Sequence, residues 1–166
     1  MTELQAALAV AQRRKLDQLR RRCRQLQGRV LRKIGRLPGL VFRRIPDPRG
    51  DSGFEIYFWA PTARLARTFH EKLHGWNVNG GKTTGTTCHY HREYCRRGLA
   101  NAPGASPFKR FKKWPAPGYR MRDFPKTEAL VHRFVALPLG FLYTDRDADY
   151  IAEVVCRIHA ELGIGK

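Results

Sequence analysis

The sequence predicts an α+β fold: a long N-terminal helix and further amphipathic helices covering a short, mainly antiparallel sheet. Three observations carry that expectation. An apolar stripe at three- and four-residue steps runs from Leu16 to Leu37, the period of one helix face. Short runs rich in β-branched and aromatic residues, bounded by Gly, Pro or Asp, recur downstream as strand candidates. A strongly periodic helix closes the chain. Short strands between amphipathic helices make a compact layered structure, since each apolar face must be buried against another element.

In chain order, Thr2 followed by Gln5 fits a capping box, in which the two side chains satisfy each other's backbone N–H. Leu16, Leu19, Cys23, Leu26, Val30, Ile34 and Leu37 then form one stripe on a helix reaching about residue 36, and Gly35, Pro38 and Gly39 end it. Leu40 to Ile45 reads as a strand, Pro46 to Asp51 as a turn, and Ser52 to Trp59 as a second strand. Pro61-Thr62 opens a helix to about Leu73, with Leu65, Phe69 and Leu73 on one face, and Trp76 to Val78 reads as a third strand. Residues 79–125 show no period and are dominated by Gly, Pro, Thr and basic residues, which marks a long functional loop. Lys126 to His132 is a short helix and Phe134 to Leu137 a fourth strand. Thr144 caps the last helix, Asp145 and Asp147 complement its dipole, and Ala148, Ile151, Val155, Ile158 and Leu162 form its buried stripe. The expected organisation is a basic amphipathic linking helix at 1–36 and a small domain at 37–166, interrupted by the irregular loop.

At 166 residues, with 42% hydrophobic residues, the chain can bury a real core. No apolar run is long enough for a membrane-spanning helix, so no membrane partner is expected. Glu3 and Gln5 stand where a signal peptide needs a basic and then an apolar segment, and so reduced cysteines and a cytoplasmic location are expected. The net charge of +18 is local: residues 13–36 carry eleven Lys/Arg against one Asp, residues 92–126 carry ten against two acids, and the rest balances.

Several patterns invite specific chemistry. Gly80-Gly81-Lys82-Thr83 suggests a phosphate loop, but the glycine that must lie five residues before Gly81 is replaced by Trp76. Cys88, His89, His91 and Cys95 crowd four zinc-type ligands into eight residues, whereas structural zinc sites separate short knuckles by a folded insert. No metal is therefore assigned. Phe108 to Trp114 interleaves aromatics with cations, and with the arginine-rich helix this predicts weak, salt-sensitive nucleic-acid binding through counterion release. A small basic nucleic-acid or polyanion-binding protein is accordingly one reading of the chain. Glu55 and Glu71 have no evident carboxylate partner, and no G-x-S-x-G element exists, so paired acid–base and serine-hydrolase chemistry lack support.

A more specific reading comes from Met1 to Ala7 with Ala11-Gln12 and Lys15-Leu16-Asp17, then Leu37-Pro38-Gly39-Leu40 and Asp51-Ser52-Gly53-Phe54, and finally Thr127-Glu128, Leu137-Pro138-Leu139 and Tyr143-Thr144-Asp145. In that order these segments resemble the small C-terminal domain of the DegT/DnrJ/StrS family of pyridoxal-phosphate (PLP) sugar aminotransferases. The resemblance implies PLP fold type I, a homodimer, and amino transfer to a keto-sugar or cyclitol, some of these nucleotide-linked. It implies PLP as cofactor of the intact enzyme. The family's Schiff-base lysine, pyridine-pairing Asp and phosphate-binding Ser lie upstream of the segment matching Met1. No residue here is therefore assigned a catalytic or cofactor-binding role, and the chain is expected to be inactive, without bound cofactor, unless a large PLP-binding domain completes it. The resemblance also places the loop near substrate, with His89, Tyr90 and His91 as candidate sugar contacts. A third reading is a pseudoenzyme subunit that docks on a complete aminotransferase.

Overall fold

The computed structural model describes residues 2–82, 88, 90, 92–97 and 120–165. Most of the basic loop therefore lies outside the described residues. The remainder forms five helices and a four-stranded sheet: α1 (Glu3–Ile34), β1 (Val41–Phe42), β2 (Glu55–Trp59), α2 (Ala63–Gly75), β3 (Gly81–Lys82), α3 (Glu93–Arg97), α4 (Pro125–Val131), β4 (Phe134–Pro138) and α5 (Asp145–Glu161). The strand order is β1-β2-β4-β3, and every pairing is antiparallel.

The predicted caps are in place. Thr2 and Gln5 exchange hydrogen bonds of 2.9 and 3.3 Å, and Thr144 and Asp147 form a second capping box at 2.7 and 3.1 Å. Thr62 Oγ1 accepts from the Leu65 N–H at 3.2 Å and starts α2.

One face of the sheet carries Ile56 and Phe58 of β2 with Val135 and Leu137 of β4, all buried; Ile56 is opposite Leu137 and Phe58 opposite Val135. Phe69 of α2 meets Phe58 edge-on at 5.4 Å. Leu26, Val30 and Ile34 of α1 and Ala148, Ile151, Val155 and Ile158 of α5 complete this single core.

Two glycines in the sequence motifs have steric reasons to be glycine. Gly39 (φ +75°) would drive a Cβ to 2.7 Å from Ile164 Cγ2, where the C-terminal turn closes on the chain. Gly53 (φ +77°) would drive one to 2.6 Å from the Arg24 nitrogen, because this turn lies directly on the α1 backbone.

The structure corrects three expectations. Trp76 to Val78 is not a strand. Asn77 has φ +55°, and the Asn77 and Val78 N–H groups donate to His74 and Leu73, which is the hydrogen-bond pattern of a Schellman helix stop. The third strand is instead Gly81–Lys82. The first and second strands are shorter than their apolar runs: the segment from Arg49 to Gly53 packs on α1 through Arg24, Gln27 and the close approach of Gly53, outside the ladder. Finally, the α1 stripe is buried only from Cys23 onward: Leu4, Leu8 and Leu16 are exposed, with no described element opposite them. That leading segment, residues 3–18, extends about 24 Å at the α-helical rise of ~1.5 Å per residue.

Candidate functional site

The start of α2 and the end of α4 border the start of β4, and a described residue of the basic loop, Tyr90, packs on Phe124 just before α4. His89 and His91 lie outside the described residues. Tyr90 between them is buried, with its ring stacked on Phe124 at 4.4 Å between centroids and 17° between planes. Its hydroxyl sits beside Glu128 of α4 and Cys88. Burial pushes its pKa upward, and the Glu128 and Cys88 neighbours push it further, so Tyr90 is a neutral phenol. Glu128 also reaches His132, with Oε2 3.2 Å from Nε2. A polar chain thus runs from the loop through Tyr90 and Glu128 to His132.

His132 lines a cavity of about 220 Å³ together with Ala63, Arg64, Arg67, His70, Val131 and Phe134. His70 is buried, with Nε2 3.1 Å from the Phe134 carbonyl. Arg64 and Arg67 are exposed and neither forms an ion pair among the described residues. Sequence reading missed this cluster. Arginines three apart on a helix face are commonplace, and only the tertiary fold brings His132 to them.

The arginine-rich helix is largely committed to structure in its C-terminal half. Arg29 holds Asp149 with both ends of its guanidinium, at 2.9 and 2.6 Å, and reaches Asp145 at 3.2 Å. Arg22 donates to Asp145 at 2.7 Å and to the Tyr143 carbonyl at 2.8 Å. Lys33 lies 3.1 Å from Asp149 and 3.7 Å from Glu153. The Arg29 hydrogen bond, then that of Lys33, holds the Asp149 carboxyl down at about 2. On the other side of α1, Gln27 donates to Asp51 Oδ2 at 2.9 Å and Arg43 to Asp51 Oδ1 at 2.7 Å. Burial raises the Asp51 pKa, but these hydrogen bonds, the Arg43 charge and the Gly53 N–H together hold it below the usual carboxylate range.

A PLP site needs a lysine in a cavity with an acid for the pyridinium nitrogen and donors for the phosphate. Two of the described lysines are committed to ion pairs. Lys33 is held by Asp149 and Glu153, Lys72 by Glu161 at 2.8 Å, and none of the described residues lining the α2–α4 cavity is a lysine. Among the described residues there is also no cluster of three or more His, Cys, Asp or Glu suited to a metal ion, and no helix long and apolar enough to cross a membrane.

No family model matches the sequence. Solved structures do resemble the fold. The aminotransferase TlmJ from Streptoalloteichus hindustanus superposes on 95% of this chain with a TM-score of 0.65 at 18% identity. Spr1654 from Streptococcus pneumoniae, assigned as a sugar aminotransferase, superposes on 98% with a TM-score of 0.67 at 15% identity, in both its PLP form and its apo form. In each case the chain spans only 36% of the other protein's length. The fold of this chain thus resembles that of about a third of each of these proteins.

Proposed function

We propose that this chain is the small C-terminal portion of a PLP-dependent aminotransferase of the DegT/DnrJ/StrS type, acting on a keto-sugar or cyclitol. In this reading a large PLP-binding domain supplies the lysine and the cofactor. The observation that carries the proposal is the superposition of nearly the whole chain on one part of two aminotransferases. Support also comes from the motif positions: the Leu37-Pro38-Gly39 turn, the Asp51-Ser52-Gly53 turn and the Thr144 cap all have structural reasons for their residues.

Within this reading the loop borders substrate, and Tyr90 is its buried anchor. Tyr90 stacks on Phe124, and its chain neighbours His89 and His91, outside the described residues, are the proposed sugar contacts. The chain's contribution is to close over the substrate and position these groups, while PLP supplies the electron sink of transamination when bound to the large domain.

The test is reconstitution. The chain mixed with PLP alone should give no aldimine absorbance near the visible edge. Co-expression with a large domain carrying the family lysine should restore the band and amino transfer to a keto-sugar. A band from the chain alone that disappears in Lys82→Ala would overturn the proposal. Alanine at His89 or His91 in the reconstituted enzyme should lower activity, and unchanged activity in both would remove them as sugar contacts.

A further inference from the structure

We propose that the cavity between α2 and the end of α4 binds the phosphate groups of a small phosphorylated ligand. The inference does not depend on the aminotransferase reading. Arg64 and Arg67 are neighbours on one face of α2, since residues three apart lie side by side on a helix. Both arginines line the cavity, and no carboxylate is among its described lining residues. Glu128, behind the wall residue His132, is engaged by that histidine and lies beside Tyr90. The first turn of α2 carries no acidic residue, so the positive end of its dipole adds to the two guanidiniums without compensation. His132 and His70 complete the wall.

Planar guanidiniums match phosphate oxygens in pairs, and two side by side offer more donors than a single carboxylate can accept. That favours phosphate or diphosphate over a carboxylate ligand. Size limits what fits. The cavity of about 220 Å³ falls below the roughly 300–1,000 Å³ of pockets that enclose a drug-sized molecule. It therefore holds the anionic head, with the rest of the ligand lying outward across Val131 and Phe134.

The experiment is calorimetric titration of the 166-residue chain with inorganic pyrophosphate and, separately, with uridine diphosphate, at about 0.15 M salt to screen nonspecific attraction. The variant Arg64→Gln/Arg67→Gln is compared with Arg13→Gln/Arg14→Gln, which removes the same charge from the exposed part of α1. Gln keeps helix propensity, and circular dichroism with a thermal melt verifies that both variants fold. The expected result is saturable binding that weakens about tenfold or more in the α2 variant, as for loss of a charge-assisted hydrogen bond, and less than about twofold in the α1 variant. Equal affinity for the two probes identifies free phosphates as sufficient; tighter uridine diphosphate binding identifies a nucleotide as the source. Absence of saturable binding to either probe, or equal losses in the two variants, would overturn the proposal.

Discussion

Replacing Gly53 by Ala tests how firmly the Asp51–Phe54 turn is seated on α1. Gly53 has φ +77°, and a Cβ there would lie 2.6 Å from the Arg24 nitrogen and 2.8 Å from both Arg24 Cα and the Cys23 carbonyl carbon. These are backbone atoms in the middle of a helix whose Cys23, Leu26 and Val30 are fully buried. They cannot swing aside as a side-chain tip can. Gly163 is the control: it also has positive φ, at +61°, but nothing lies within 4 Å of its Cβ position. Left-handed backbone costs an L-residue about 1–2 kcal/mol, and both substitutions bear that cost. Only Gly53→Ala adds the overpacking cost of about 1–3 kcal/mol. For a chain of this size about 1 kcal/mol moves the melting temperature by roughly 2–4 °C, so Gly53→Ala should melt about 2–12 °C below Gly163→Ala. Thermal melts by far-ultraviolet circular dichroism measure the difference. Equal melting temperatures would mean that the turn lifts from α1 at no cost, and the contact argument would fail.

The Asp149 carboxyl is held at about 2 by Arg29 and Lys33. A depressed carboxylate stabilises the fold above the unfolded value of about 3.9, and that contribution disappears as pH falls through the folded value. Urea midpoints should therefore fall more steeply between about pH 4 and pH 2 for the parent than for Asp149→Asn, and parallel profiles would refute the ionic contribution. Leu4, Leu8 and Leu16 leave an apolar stripe exposed on α1, so the isolated chain should self-associate in sedimentation velocity. Leu8→Gln/Leu16→Gln should shift it toward monomer; a monodisperse parent would contradict the prediction.

What was legible in the sequence was local. The caps at Thr2 and Thr144 could be read because each joins a side chain to a backbone group three residues away. Trp76-Asn77-Val78 has strand-like composition, but its fate depends on where α2 runs out of hydrogen-bond partners, and Asn77 supplies the left-handed stop. β3 is invisible in sequence because Gly81 and Lys82 carry no apolar pattern; only pairing with Ala136 and Val135 makes them a strand. The burial of Tyr90 depends on Phe124, a partner far along the chain. The α2–α4 cavity was hidden for the same reason: its parts come from three elements.

The acidic spacing on α5 explains much of the arginine on α1. Asp145, Asp149 and Glu153 recur every four residues along one face, opposite Arg22, Arg29 and Lys33. Exposed ion pairs contribute little singly, but a two-pronged Arg29–Asp149 contact inside a network also fixes the register of the two helices. The seam stops at Arg22. Arg13, Arg14, Lys15 and Arg21 have no carboxylate opposite them among the described residues, and they share their half of α1 with Leu8 and Leu16. A nucleic acid would neutralise those cations and leave the leucines in water. A protein surface bearing both apolar side chains and carboxylates would satisfy both, as α5 does for the other half of the same helix. The coincidence of bare charge with bare apolar surface therefore favours a protein partner for this segment, in keeping with the large domain of the proposed aminotransferase.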